Sequence, residues 1–409
     1  MIKPTLRFKA DDGSEYPEWS NGELGSVAFI TMGQSPESSS YNTVGEGKPL
    51  VQGNADMCER KTCPTRFTRQ VTKLAYEGDI IISVRAPVGL VGRADRDICC
   101  GRGVAAVRVK PGYDQEFLYQ LFQRIERTWD SVAQGGTFTA ISRNDISGRG
   151  IVVPSLPEQR KIVALLSSVD DVIAAQTAEV AAWEERKKGV MQKLFSQEVR
   201  FKDDDGSEYP AWEKMSYADT FVGLNNNTFS RDYLNYEGGP AKNIHYGDVL
   251  VKYGACVDVR NADVPFVNDD AAWDKYDKLQ DGDVVIADTA EDDTVGKAVE
   301  VECVGDLNVV SGLHTIACRP QREFSRHFLG YYLNSDAFHD QLRPFMQGIK
   351  VTSISKTNIA LTSIIIPSLS EQRKIADCLS SLDEVIAKAK DELAKWRELK
   401  KGLLQQMFV

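Results

Sequence analysis

The sequence lacks most of what common enzyme classes require. It has no Gly-x-x-x-x-Gly-Lys-Ser/Thr loop to cradle a phosphate, no Gly-x-Ser-x-Gly elbow and no His-Glu-x-x-His zinc pair. It also lacks the Asn/Asp-Pro-Pro-Tyr/Phe tetrapeptide of an amino-methyltransferase, because no two prolines are adjacent. Its eight cysteines include no Cys-x-x-Cys pair and there are only four histidines. A zinc site is therefore not expected, and free structural thiols in a reducing cytoplasm are. No apolar run approaches the ~20 residues needed to cross a bilayer. The opening residues have no apolar core of a secretory signal. Catalytic residues, a bound cofactor and a metal site are accordingly expected to be absent from this chain, and so is a membrane partner.

Net basic charge is missing too. The 409 residues sum to −10, which taken alone counts against nucleic acid, since phosphate binding draws on Lys and Arg. The balance is uneven. Asp263 to Asp306 holds fourteen acidic residues, three lysines and no arginine. The region before Pro154 gathers Arg60, Lys61, Arg66, Arg69, Arg85, Arg93, Arg96 and Arg102. A local basic face can coexist with an acidic remainder.

What the chain does have is internal repetition. Pro154 to Phe195 opens Pro-Ser-Leu-Pro-Glu-Gln-Arg-Lys-Ile, and Pro367 to Phe408 opens Pro-Ser-Leu-Ser-Glu-Gln-Arg-Lys-Ile. A repeat outranks any single motif in reading a fold. Each copy carries an apolar seam spaced alternately by four and three. The first runs Ile162, Leu166, Val169, Ile173, Gln176, Val180, Trp183, Lys187, Val190, Leu194. The second runs Ile375, Leu379, Leu382, Ile386, Ala389, Leu393, Trp396, Lys400, Leu403, Met407. Heptads sustained this long predict two coiled-coil helices, broken only by Gln176 and the two lysines. Ser155 with Glu158 and Ser368 with Glu371 fit the capping-box spacing. A shorter tag repeats as well, Arg7-Phe-Lys through Trp19 and Arg200-Phe-Lys through Trp212. Its Asp-Gly-Ser turn and closing Pro-x-Trp suggest a structural plug.

Between tag and helix lie two stretches of similar grammar. Gly78 to Ser83 and Gly282 to Ala287 read as buried strands, and Gly103 to Val109 and Ile151 to Val153 as further strands. Glu116 to Trp129 and His327 to Phe338 read as helices. Gly135 to Thr139 and Gln347 to Thr352 read as loops where glycine lets backbone approach a ligand closely. The unit is thus tag, mixed α/β globule, long helix, present twice. The expected fold class is α+β. Two globules, 1–153 and 199–366, alternate with two long helices, 154–198 and 367–409, in a pseudo-twofold repeat.

The polar inventory of the globules suits recognition. Candidate DNA-binding residues in the first are Gln34, Ser35, Tyr41, Arg60, Lys61, Arg66, Arg69, Arg85, Arg102, Thr137 and Arg143. In the second they are Asn225, Asn227, Arg231, Lys242, Lys252 and Lys350. Arg and Lys grip phosphates or guanine edges, and Asn and Gln pair with adenine. Two alternatives stand beside this reading. One is a coiled-coil interaction scaffold that binds no DNA. The other is a carboxylate-metal nuclease built around Asp283 and Asp288.

The doubled Pro-x-Leu-x-Glu-Gln-x-Lys-Ile heads, the Trp183-x-x-x-Lys187-Lys188-Gly189 and Trp396-x-x-x-Lys400-Lys401-Gly402 exits, and the Gly-Asp strands at Gly78 and Gly282 together resemble one family. It is the specificity subunits of type I restriction–modification systems, and the likeness covers nearly the whole chain. The resemblance implies two target-recognition domains joined by an antiparallel pair of long helices, each domain reading one half of a split double-stranded DNA site. It implies a non-catalytic chain that docks two DNA methyltransferase (modification) subunits and, through them, restriction translocase–nuclease subunits. S-adenosylmethionine, ATP and Mg would then belong to those partners. Partner-binding residues are expected on outward helix faces at Glu158, Gln159, Arg160, Glu371, Gln372 and Arg373. Because the globule interiors differ, the two half-sites are expected to differ in sequence.

Overall fold

A computed structural model describes residues 4–132, 140–268, 271–348 and 351–408. It divides into two compact units, Met1–Thr177 with Asp391–Val409, and Ala178–Lys390.

The first unit is built on a six-stranded sheet. Its order is Ala28–Met32, Val104–Val109, Ile80–Ser83, Val91–Arg93, Lys61–Thr62, Met57–Cys58. The central strands are buried on both faces, which is why they read as unbroken apolar runs. Alternation sends Ile80, Ile82, Ala105 and Val107 toward Phe117 and Phe122 of the helix Gln115–Ile125. It sends Ile81, Val104 and Ala106 toward Val51, Ala75 and Ile98 of a second, five-stranded sheet. Cys58 and Cys63 are bonded across a hairpin, against the expectation of free thiols, while the other six cysteines are free.

The second unit repeats this frame on the sheet Phe221–Leu224, Thr315–Pro320, Val284–Ala287, Ala298–Glu302, Cys256–Asp258. Val284 and Ile286 face Phe328 and Tyr332, while Val285 and Ala287 face Ile244 and Val249. The helix expected over His327 to Phe338 is two helices, Phe328–Leu333 and Asp336–Leu342. The break falls at Asn334, whose amide bonds Ala298 and Gly330 carbonyls rather than continuing the turn. The Gly-Asp motif has a physical role in both units. Gly78 and Gly282 turn at φ 84° and 87°, the left-handed region that favours glycine. The following buried aspartates are gripped by arginines of the neighbouring strand, Asp79 by Arg108 at 2.6 Å and Asp283 by Arg319 at 2.7 Å.

The long helices run Leu156–Phe195 and Leu369–Met407, uninterrupted at Gly189 and Gly402. In the first unit Ile162 and Leu166 pack with Leu403, Leu404, Met407 and Phe408. In the second, Leu194 and Phe195 pack with Ile375 and Leu379. In each unit the head of one helix therefore meets the tail of the other, an antiparallel pairing. The seam lysines are explained by counter-charges on the facing helix. Lys400 donates to Asp170 at 2.6 Å in the first unit, and Lys187 to Asp383 at 2.6 Å in the second. The covering helices complete each pair, Gln120 donating to Asp170 at 2.9 Å and Tyr331 to Asp383 at 2.7 Å.

Glu158 and Glu371 do not close capping boxes, and they do not face outward. Both are fully buried. Glu158 accepts from Arg7 Nε at 3.0 Å and Nη2 at 2.8 Å, and from Trp19 Nε1 at 3.2 Å. Glu371 accepts from Arg200 at 3.0 and 2.7 Å and from Trp212 at 2.8 Å. The neighbouring Gln159 and Gln372, also buried, accept from Asp114 N at 2.8 Å and Ser325 N at 2.9 Å, where the covering helices begin. The assignment of these four residues to a partner surface is therefore corrected: a carboxylate is buried here because the tag's guanidinium and indole pair with it. Only Arg160 and Arg373 of that set are exposed.

Removing the buried carboxylate should be costly. Glu158→Ala removes the counter-charge of Arg7, which keeps only the Tyr16 and Pro17 carbonyls, and the acceptor of the buried Trp19 indole, and a loss of about 3–5 kcal/mol is expected in urea unfolding. Arg160→Ala, on the open face of the same turn, should stay within about 0.5 kcal/mol. Stability should also depend on pH through one pair. His327 is raised above its usual range by its 2.7 Å hydrogen bond to Glu302, and Glu302 is lowered by the same bond. The His contribution is full below the unfolded value of about 6.5 and is lost as pH rises through the raised folded value. The Glu contribution is present above about 4.3 and is lost as pH falls through the lowered one. The stability difference between wild type and His327→Gln should therefore peak between about pH 4.5 and 6.5 and shrink on either side. A difference that grows steadily toward alkaline pH would contradict the pairing.

Candidate nucleic-acid interface

Antiparallel register brings three strand ends together in each unit. In the first, Met32, Ser83 and Val104 share one end of the main sheet. The chain segments leaving it are tied by backbone hydrogen bonds. Gly33 N donates to Val104 O, Gln34 N to Cys100 O and Val84 N to Gly103 O, all at 2.9 Å. The approach is close enough to require glycine: a Cβ on Gly103 would lie 2.0 Å from the Gln52 carbonyl oxygen. Ser35 Oγ accepts from Arg102 N at 3.2 Å and lies 3.4 Å from Gln52 Oε1. The side chains of Gln34, Arg85 and Arg102 are exposed around this end. Neither arginine forms an ion pair with a described residue.

Four backbone bonds at this end recur in the second unit. Gly101 N to Val51 O at 2.7 Å is matched by Gly312 N to Ile244 O at 2.9 Å. Val84 N to Gly103 O is matched by Asp288 N to His314 O at 3.0 Å. Gln34 N to Cys100 O is matched by Asn227 N to Ser311 O at 2.8 Å. Ile141 N to Val84 O at 3.0 Å is matched by Ile354 N to Asp288 O at 2.8 Å. Arg102 therefore corresponds to Leu313, Arg85 to Thr289, Gln52 to His245 and Arg143 to Lys356. Of the candidate loops, Gly135 to Thr139 and residues 349–350 lie outside the described residues, but the residues that follow them are placed at this same end. Ala140 bridges Arg85, and Thr352–Ser353 pairs with Thr289–Ala290.

Several predicted site residues are not available to a ligand. Asn227 is fully buried and donates to Asn243 at 3.1 Å. Lys242 is buried with its ammonium on the Val259 carbonyl at 2.5 Å. Both are corrected to framework residues, since a polar group taken from water must find its partner inside. Arg60 is held by Glu126 at 2.8 Å, and Arg231 by the buried Asp248 at 2.6 Å. Lys252 pairs with Asp263 and Arg69 with Glu46. Tyr41 braces its own loop, donating to Pro36 O at 3.1 Å. Lys61 is exposed but lies in register with Arg93, which opposes Ile80 at the far end of the sheet. Arg66 and Asn225 are exposed. Thr137 and Lys350 lie outside the described residues.

Composition alone missed Gln52, Tyr246, His245, His314, Thr289 and Lys356. Lys356 donates to Asn226 at 3.0 Å, and the His314 ring meets Tyr246 edge-on with centroids 5.3 Å apart. Burial and the Arg231 charge push His245 down to about 4, so its imidazole is neutral near pH 7. Its Nδ1 accepts from Gly247 N at 3.2 Å. The detectable signal was positional: Gly312 two residues before His314 repeats Gly101 two before Gly103.

The nuclease reading does not survive the geometry. Asp283 and Asp288 stand at opposite ends of Val284–Ala287, roughly 16 Å apart at about 3.3 Å per residue. Asp283 is occupied by Arg319. Among the described residues no three His, Cys, Asp or Glu side chains are grouped to hold a metal, and no helix is long and apolar enough to cross a membrane.

The sequence pattern described as the type I restriction modification DNA specificity domain matches residues 16–182 and 274–395. A putative type I restriction enzyme MjaX specificity subunit of Methanocaldococcus jannaschii is 37% identical over 199 residues, which is 48% of this chain and 47% of that protein. The chain thus spans about half the length of that relative. The crystal structure of a type I restriction–modification system S subunit from M. genitalium superposes with TM-score 0.56 at 16% identity, covering 100% of this chain and 99% of that one. A structure described as underlying complex assembly and conformational transition of the type I R-M system gives TM-score 0.57 at 19% identity, covering 96% and 97%. At these identities the superpositions establish a shared fold. With the sequence pattern matched over most of its length, this chain belongs to the type I restriction–modification DNA specificity family.

Proposed function

We propose that this chain is the DNA-reading subunit of a type I restriction–modification complex. It binds a bipartite, asymmetric site on double-stranded DNA and directs partner adenine methyltransferase and restriction subunits to it, with no catalysis of its own. The observation that carries this reading is one framework used twice with unlike contents. The same three strand ends and the same backbone bonds recur in both units, while the side chains displayed there differ. In this reading the globules within 1–153 and 199–366 are the target-recognition domains. The half-site centres lie on the order of 34–36 Å apart, one helical turn. Two modification subunits dock on the long helices, with the exposed Arg160 and Arg373 as the first positions to probe. S-adenosylmethionine, ATP and Mg reside on the partners, and the complex works in the cytoplasm.

A salt titration tests it. Duplex affinity of the chain, alone and with co-produced modification subunits, should fall steeply as salt rises. Arg143→Gln should weaken binding to all duplexes and reduce the log–log slope by about one. No duplex binding in either preparation, or an affinity that ignores salt, would favour an interaction scaffold without DNA.

A further inference from the structure

We infer that the first unit reads a guanine-bearing half-site, while the second unit reads its half-site without guanine-directed arginines. This rests on the function proposed above and adds the base class that each unit selects.

Two units that hold the same polymer must share the groups that hold its uniform part, the phosphates, and may differ only where sequence is read. Arg143 and Lys356 occupy one corresponding position, each opening a short helix capped by a serine, Ser142 and Ser355. A cation is kept there in both units, as a sequence-independent phosphate contact requires. Arg85 and Arg102 behave differently. Their counterparts are Thr289 and Leu313, so neither charge nor fork geometry is kept. Both arginines are exposed, and neither is tied to a carboxylate among the described residues. They flank one hydrogen-bonded backbone pair, Val84 N to Gly103 O, so their Cα atoms stem from adjacent strands. Exposed Gln34 stands on the third strand end.

A guanidinium donates two parallel hydrogen bonds to guanine O6 and N7, the geometry that separates guanine from the other bases in the major groove. Thr289 and Leu313 cannot make that pair. The second unit instead presents Asn225, whose backbone N–H is bound by Asp277 at 2.8 Å, and His314 beside Tyr246. An amide side chain pairs bidentately with adenine N6 and N7. Carboxylates near this end, Asp277 and Asp288, also suit a surface that avoids extra phosphate contacts. Charge thus divides between two roles. Shared cations hold the backbone, and arginines unique to the first unit read bases.

The test is selection from a pool of randomised duplexes. The full chain is used, alone and with co-produced modification subunits, as wild type, as Arg85→Gln/Arg102→Gln and as Arg143→Gln. Wild type should enrich a two-part sequence with a fixed guanine in one half. The double variant should lose preference for that guanine by roughly tenfold or more, leaving the other half unchanged. Replacing that guanine by 7-deazaguanine should weaken wild type but not the double variant. Arg143→Gln should lower affinity for all enriched sequences alike. A two-part site with no guanine in the half altered by the double variant, or a double variant that weakens every sequence equally, overturns the guanine assignment alone. Failure of every preparation to enrich any two-part sequence overturns the function proposed above, and this inference with it.

Discussion

A buried carboxylate at the head of each long helix is the constraint on which the rest of each unit depends. Glu158 and Glu371 are wholly removed from water, a state tolerated only because a guanidinium and an indole N–H meet each one. Those donors come from tags remote in sequence, so satisfying the carboxylate fixes the tag on the helix. The next residue, Gln159 or Gln372, satisfies the backbone N–H where the covering helix starts. Two adjacent side chains thereby set the positions of tag, long helix and covering helix, and through the covering helix the main sheet. Both repeats in the sequence, the Arg-Phe-Lys tag and the Glu-Gln head, are halves of this one contact.

On this fixed frame the sheet ends are free to vary. Strand register and a few close glycine approaches hold the loops, and outside those glycine positions the bonds that do so are backbone bonds that many side chains permit. Gly101 and Gly312 sit in the same turn, yet the residues that follow are Arg102 and Leu313. The acidity of the second unit does not obstruct this arrangement, because many of its carboxylates are consumed locally. Asp283 holds Arg319, Asp281 accepts from Val304 N, and Asp292 accepts from Thr294. They stabilise turns and strand starts rather than forming one continuous field at the sheet end.

The repeated architecture and the family were legible in the sequence because both are written locally: heptads, doubled motifs, apolar runs bounded by Gly-Asp. The seam lysines were anomalies there, since Asp170 and Asp383 lie on the partner helix and no spacing within one helix reveals them. The site was less legible. Arg60, Arg231 and Lys242 look like phosphate ligands by residue type, but their partners Glu126, Asp248 and the Val259 carbonyl are brought to them only by folding. Glu158 and Gln159 sit within a polar run whose residue types alone suggest solvent exposure. Conversely, Gln52, His245 and Lys356 carry no motif, and only matching the backbone bonds of one unit to those of the other places them at the sheet end.

In the proposed function, one frame, used twice, displays two different readers to DNA. The most direct measurement is to map methylated adenines across the genome of a host producing this chain together with its modification subunits. A single bipartite motif with two unlike halves separated by a spacer of unspecified bases is expected. A continuous motif, a palindrome, or a methylation pattern that does not change when the chain is omitted would contradict it.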